Sequence, residues 1–421
     1  MSDAVRAEAS SGAVRETYHR VQGANILLYE PVAPGDNGRI LVASMHGGLG
    51  RTLQHGFLRQ LAANGFRTAY CVPDSASFID QFLAMERCLE LLRNLDGVEA
   101  TVLMGQSRGA GLMSAFQKIA ENGAGVFQGP ERRLPIPDMS LTPVDGLMLL
   151  DANFGFMVMH VLSMNPALVR EGNGLIVDPD LDPLNPANGW APNARAHYAP
   201  EFRRRFVAAQ RDRYRRLLAH AEERWRLIEA GRGELRDNEP ILVPDAIGIN
   251  NSPKLFVGDL SYFAHTRQAW PLVHRDGSVS TEVVSRIALD ETNPGLPGTL
   301  PAAWQTTVKD LLWLEVTLAD DLDYGEDHLS GVDFASSMTC SSGNVEQISC
   351  PLLVMGHTAG YEYITAEWSY RNARSADRSI AFMEGATHGW ASADAATYGD
   401  TVAIEARYVS GWLTEPGRFL R

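Results

Sequence analysis

The stretch Thr101-Val102-Leu103-Met104-Gly105-Gln106-Ser107-Arg108-Gly109-Ala110-Gly111 constrains this chain more than any other. Ala100 to Met104 is a short apolar run with β-branched members, and Gly111 to Phe116 is small and helix-compatible. A strand should therefore turn straight into a helix at Ser107. In a G-x-S-x-G turn of that kind the serine is forced into a strained backbone conformation with its oxygen exposed above the sheet. Gly105 and Gly109 suit it, because side chains two residues either side of the serine would collide. Five residues with three fixed positions recur by chance. The strand-turn-helix setting is what makes Ser107 a candidate nucleophile.

The flanking sequence repeats the strand and helix alternation. Thr17 to Val21 and Asn25 to Tyr29 read as strands hinged at Gly23, and Ile40 to Met45 reads as a buried strand leading into His46-Gly47-Gly48-Leu49-Gly50. A helix over Thr52 to Ala63 and a strand over Thr68 to Val72 follow. Phe78, Phe82, Met85, Leu89 and Leu92 then fall at helical spacing, and Val144 to Leu150 forms a strand that ends in Asp151. Alternation stops after Ala152 and returns at Pro351 to Met355. It continues with a helix over Thr365 to Ser375, a strand over Ser379 to Met383 and a closing helix around Thr401 to Trp412. The expectation is an α/β core from residues 1–150 and 346–421, with a mostly parallel sheet covered by helices on both faces. Residues 151–345 are too long for a loop and are read as an inserted, mainly helical cap or lid domain.

A serine hydroxyl is a poor nucleophile at neutral pH and needs a base, an acid to orient that base, and donors for the developing oxyanion. Glu384-Gly385-Ala386-Thr387-His388-Gly389-Trp390 follows the last core strand, so His388 is the candidate base among the 11 histidines. His55, His160, His197, His220, His265, His274, His328 and His357 lack such a setting and are read as structural or solvated. The oxyanion donors would be the backbone N–H groups of Arg108 and Gly48, with Leu49 as the alternative to Gly48. The acid is less plain, because Ala359 and Gly360 stand where a carboxylate is expected after the penultimate strand. Asp151, at the end of the preceding strand, is favoured over the later Glu362.

These motifs resemble those of the α/β-hydrolase superfamily. His46-Gly47-Gly48, Gly105-Gln106-Ser107-Arg108-Gly109 and Gly385-Ala386-Thr387-His388-Gly389 match its oxyanion, nucleophile and histidine motifs in the family's order. The resemblance covers the two core segments. It implies a serine hydrolase with an acid and a histidine, similar to an esterase or lactonase, cleaving a carboxylic ester or lactone through an acyl-enzyme. C–C bond hydrolysis, acyl transfer and a catalytically silent ligand-binding member remain the alternatives.

Bulk properties narrow the partners. A formal net charge of −14 opposes generic binding to nucleic acid or an anionic membrane. With no secretory leader visible at the N-terminus, a cytoplasmic location is expected. Cys71, Cys88, Cys340 and Cys350 have no metal-ligand spacing and read as buried free thiols. No metal or cofactor is expected, the partner is a small ester or lactone, and a homodimer is left open. Glu201 to Ala230 reads as a helix carrying nine arginines, solvated or paired to acids, behind an apolar stripe. Met157, Met159, Met164, Trp190 and Trp270 are candidate pocket lining.

Overall fold

The computed structural model describes residues 13–48, 54–128, 132–171, 173–191, 196–246, 255, 259, 261–287 and 303–420. Strands β1 (Val14–Val21) and β2 (Ala24–Pro31) form an antiparallel pair turned at Gly23, whose φ of +89° favours glycine. The core continues through β3 (Ile40–Ser44), α1 (His55–Ala63), β4 (Arg67–Pro73), α2 (Phe78–Arg93), β5 (Ala100–Ser107), α3 (Arg108–Asn122) and β6 (Gly146–Ala152). Residues 49–53, including Leu49 and Thr52, lie outside the described set.

Sequence period decides which face each strand residue serves. Leu41 and Ala43 of β3, Leu103 of β5, and Leu147 and Leu149 of β6 pack with α2 and α3 in one cluster. Ile40 and Val42, Val102 and Met104, and Met148 and Leu150 pack on the other face with Phe57, Leu58 and Leu61 of α1. Such strands are buried on both sides and read as continuous apolar runs, as parallel strands do.

After β6 come α4 (Phe156–Ser163), β7 (Leu168–Arg170), β8 (Asn173–Val177), α5 (Pro200–Glu229), β9 (Pro240–Pro244), β10 (His265–Val273), β11 (Val279–Ser285), β12 (Ala303–Thr307), α6 (Val308–Trp313), β13 (Thr317–Tyr324), β14 (Leu329–Asp333) and α7 (Ser341–Asn344). The chain re-enters the core with β15 (Leu352–His357), α8 (Thr365–Asn372), β16 (Arg378–Met383), α9 (Ala395–Tyr398) and α10 (Thr401–Leu413). The main sheet runs β1-β2-β4-β3-β5-β6-β15-β16-β10-β11, with every pairing from β4 to β10 parallel.

The insertion differs from the expected cap in two ways. Its strands β10 and β11 extend the main sheet beyond β16. Besides the 30-residue α5 it holds three two-stranded ribbons, β7 with β8, β9 with β12 and β13 with β14. Helix α5 is amphipathic, as its pattern predicts, and Phe206, Tyr214, Leu217 and Leu218 join the same apolar cluster as α2 and α3. Its arginines are largely paired. Buried Arg213 forks onto Glu171 and donates to the carbonyls of Asn165 and Pro244, while Arg215 meets Asp320 and Arg224 meets Glu239. No described helix is long and apolar enough to cross a membrane.

Close packing fixes the turn at Ser107. A Cβ on Gly105 would sit 2.5 Å from Cα of Ala110, and one on Gly109 would sit 2.8 Å from the carbonyl oxygen of Met45. Both obstacles are backbone, so neither can swing aside. The substitution Gly105→Ala is expected to cost about 2–3 kcal/mol of stability. Denaturant unfolding of the variant against wild type measures it, and an unchanged midpoint would remove the packing argument.

Candidate active site

Neighbouring strands β5 and β6 both end in left-handed backbone. Ser107 has φ 55° and ψ −128°, and Asp151 has φ 46°. The ladder explains the pairing of these two strained residues. Gln106 faces Leu150, but Ser107 faces Ala152, so one extra residue is accommodated on β6, and that residue is Asp151. A bulge of this kind re-aims a side chain at the end of a strand.

The aim of Asp151 is His388. Nδ1 of His388 donates to Oδ2 of Asp151 at 2.5 Å, and Oε2 of Glu362 lies 3.1 Å from the same nitrogen. The remaining oxygen of Asp151 accepts the backbone N–H of His357 at 2.9 Å. The loop bearing His388 is tied to the serine turn, because Nε2 of Gln106 donates to the His388 carbonyl at 2.7 Å. Nε2 of His388 is buried and, among the described residues, has no hydrogen-bond partner, Ser107 included. In the absence of substrate, contacts between such groups are often long and tighten only once substrate is in place.

His357 sits behind this cluster, fully buried. Nδ1 donates to the carbonyl of Thr387 at 2.9 Å and lies 3.7 Å from Oδ2 of Asp151, while Nε2 lies 2.8 Å from Oε2 of Glu405 on α10. Burial alone would lower its pKa, but the Glu405 and Asp151 carboxylates outweigh it and raise His357 to about 9. Burial likewise pushes the Asp151 carboxyl up, yet His357 and His388 hold it below the usual aspartate value. Glu362 is raised by burial, with Asp151 adding to the rise, to about 7. His388 is raised, its two carboxylate neighbours overcoming the effect of burial.

The oxyanion candidates lie on opposite sides of the turn. Arg108 is the first residue of α3, where backbone N–H groups are unspent. Gly48 follows Gly47, whose φ of +78° and close approach to Gln81 admit no side chain. Gln81 fixes that loop by donating to the Gly47 carbonyl at 2.9 Å.

Asp151, Glu362 and His388 thus converge beyond the ends of β6 and β15 and in the loop after β16, with Ser107 at the end of neighbouring β5. His357, read from the sequence as structural or solvated, is buried and belongs to the charge cluster. Its partner Glu405 is the one acid in the buried stripe of Ile404, Ala406 and Val409, which is the sequence signal that marks it. Trp270 is not beside the serine either: it sits on β10, donating to Glu367 at 3.0 Å and meeting Tyr370 edge to face. Met157, Met159 and Met164 are fully buried core residues, and Trp190 packs at the margin of that core. Phe78, Phe156, His160 and Trp304 form the aromatic group near Arg108 instead. Ligand atoms of Asp151, Glu362 and His388 all lie within 4.8 Å of one another, a spacing that could also admit a metal ion. An ion there would have to displace the proton joining His388 to Asp151.

A mostly parallel sheet of this order, a left-handed serine at a strand-to-helix turn, and acid and histidine at later strand ends define the α/β-hydrolase fold. No protein-family model matches the sequence, and no curated protein matches it. Similar solved structures include a soluble variant of monoglyceride lipase from Saccharomyces cerevisiae bound to a substrate analogue (12% identity, TM-score 0.41, 99% of this chain and 98% of that one). Brefeldin A esterase, a bacterial homologue of human hormone-sensitive lipase, is similar at 11% identity and TM-score 0.42 over 98% of this chain and 80% of its own. Est1E from Butyrivibrio proteoclasticus is similar at 10% identity and TM-score 0.40, over 94% and 97% of the two chains. The fold assignment rests on the strand order and the turn at Ser107.

The raised pKa of His357 has a consequence for stability. Its folded value of about 9 lies above the usual 6.5, so its contribution is fully present below pH 6.5 and lost as pH rises to about 9. Up to about 3 kcal/mol should disappear over that interval. Denaturant unfolding at pH 6.5 and pH 9 tests it, and His357→Gln should flatten the difference. A slope equally steep in the variant would assign the loss to other groups.

Proposed function

We propose that this chain is a serine hydrolase that cleaves a carboxylic ester or lactone. The observation carrying the reading is His388, held through Nδ1 by buried carboxylates, with Nε2 unpartnered and its loop tied to the residue before a left-handed Ser107.

In this reading Ser107 Oγ attacks the carbonyl carbon while His388 Nε2 takes the hydroxyl proton. The backbone N–H groups of Arg108 and Gly48 receive the negative charge that develops on the carbonyl oxygen. The tetrahedral intermediate collapses, and His388 returns its proton to the leaving alkoxide, or to the ring oxygen of a lactone. Water, activated by the same imidazole, then releases the acid from the acyl-enzyme. Asp151 fixes the tautomer of His388 and stabilises its imidazolium. Glu362, whose carboxyl is pushed up by burial, adds a second and weaker negative neighbour. The alternative of a silent binding protein rested on the missing carboxylate at Gly360, and Asp151 and Glu362 supply two. The monoglyceride lipase and esterases named above act on esters, in keeping with this substrate class.

A fluorophosphonate probe should label wild type and fail on Ser107→Ala, and a panel of esters and lactones should show at least about a 10³-fold loss of kcat/KM in that variant. Equal labelling of both proteins would assign the reactivity elsewhere. Asp151→Asn is expected to cost more turnover than Glu362→Gln, because Asp151 makes the shorter bond to His388. Steady-state kinetics of the two variants decide the order, and the reverse order would make Glu362 the orienting acid.

A further inference from the structure

Arg108 does more in this structure than present a backbone N–H. Its guanidinium lies against two neighbouring rings, 4.7 Å from the centroid of Phe78 and 4.4 Å from that of Phe156, whose own centroids are 6.2 Å apart. One nitrogen, Nη2, donates to the carbonyl of Ala76 at 3.0 Å. Nε lies 3.5 Å from where a Cβ of Gly47 would stand, so the group runs along the His46–Gly48 loop beside the serine turn. The side chain is therefore held against the loop that flanks the reacting carbonyl.

The guanidinium is also short of partners. Its Nε is closed to solvent and makes no hydrogen bond, Nη1 makes none either, and among the described residues no carboxylate pairs with it. Asp310 acts on it only through space, and that carboxyl is itself occupied by the hydroxyl of Thr307. Burial accordingly lowers the Arg108 pKa to about 10, and its charge adds to the burial that holds nearby His160 at about 3. The buried arginine of α5 is the contrast. Arg213 is forked onto Glu171 and spends its other donors on two carbonyls. A largely buried cation to which no carboxylate is bonded is costly, and an incoming anion would supply that missing partner.

We propose that Arg108 is a specificity-determining residue that binds a carboxylate borne by the substrate, so that the ester or lactone carries an acid group a short chain away from the carbonyl attacked by Ser107. This rests on the serine-hydrolase reading and names its substrate class. The anion meets the Nη1 end of the guanidinium, because Nε is closed to solvent and Nη2 is held by the Ala76 carbonyl, and Phe78 and Phe156 hold the side chain in place. Anchoring the acid end would hold the ester carbonyl over Ser107.

The test measures how fast a fluorophosphonate probe labels Ser107 while glutarate, or its neutral analogue glutaramide, competes for the site. On wild type, glutarate should protect at concentrations about 10- to 100-fold lower than glutaramide, the advantage a charge-assisted hydrogen bond confers. In Arg108→Met the two competitors should become equal to within about 3-fold. In Arg108→Lys, which keeps the charge but loses the planar fork, the advantage should shrink without vanishing. The lysine variant also carries the comparison should the methionine variant fail to fold. Equal protection of wild type by both compounds, or a glutarate advantage that survives in Arg108→Met or is undiminished in Arg108→Lys, would overturn the assignment. Wild type that takes no label would remove the serine reading itself, and this inference with it.

Discussion

The site depends on one irregularity in the ladder between β5 and β6. An extra residue on β6 shifts the pairing, and both strands leave the sheet through left-handed residues, Ser107 and Asp151. Each such conformation costs on the order of 1–3 kcal/mol and persists only where the surroundings dictate it. Here they do. Gly105 lets the backbone of α3 close onto β5, Gly109 lets it close onto the end of β3, the Asp151 carboxylate accepts the His357 N–H, and Gln106 holds the loop that carries His388. The strain is thus tied to position: relaxing Asp151 would move its carboxylate away from the His388 imidazole.

Charge balance forms the second layer. Five ionisable groups, Asp151, His357, Glu362, His388 and Glu405, are buried together, and each sets the protonation of its neighbours. A positive His357 beside Asp151 lets that carboxylate remain ionised where burial alone would neutralise it. It also keeps Asp151 a strong acceptor for His388. A partly satisfied network of this kind would be worse than an apolar core, so the cluster stands or falls as a unit.

Much of this was legible in the sequence. Continuous apolar runs marked the parallel strands, and the glycines around Ser107 and His388 marked where backbone had to pass closely. What hid the rest was the locality of the signals. Asp151 was visible as a strand-end acid, but the bulge that turns it depends on pairing with β5, which no local pattern encodes. His357 and Glu405 are separated by nearly the whole final segment of the core and become partners only when α10 packs under β15. Strands β10 and β11 escaped because His265-Thr266-Arg267-Gln268-Ala269 is polar and half-exposed, as an outer strand can be, and does not show the apolar run of a central one. The guanidinium of Arg108 carries no sequence signal of its own, because a single arginine inside a G-x-S-x-G turn does not show what its side chain packs against, whereas the nine crowded arginines of α5 mark a surface of ion pairs.

The insertion is welded to the core. Its apolar residues belong to the same cluster as α2 and α3, a Cβ on Gly111 of α3 would sit 2.1 Å from the carbonyl oxygen of Thr339, and β10 hydrogen-bonds to β16. A lid that swings as a rigid body about a hinge would have to tear a β-ladder and open an apolar interior. Any movement that uncovers Ser107 therefore has to leave the β10–β16 ladder and the shared apolar cluster in place.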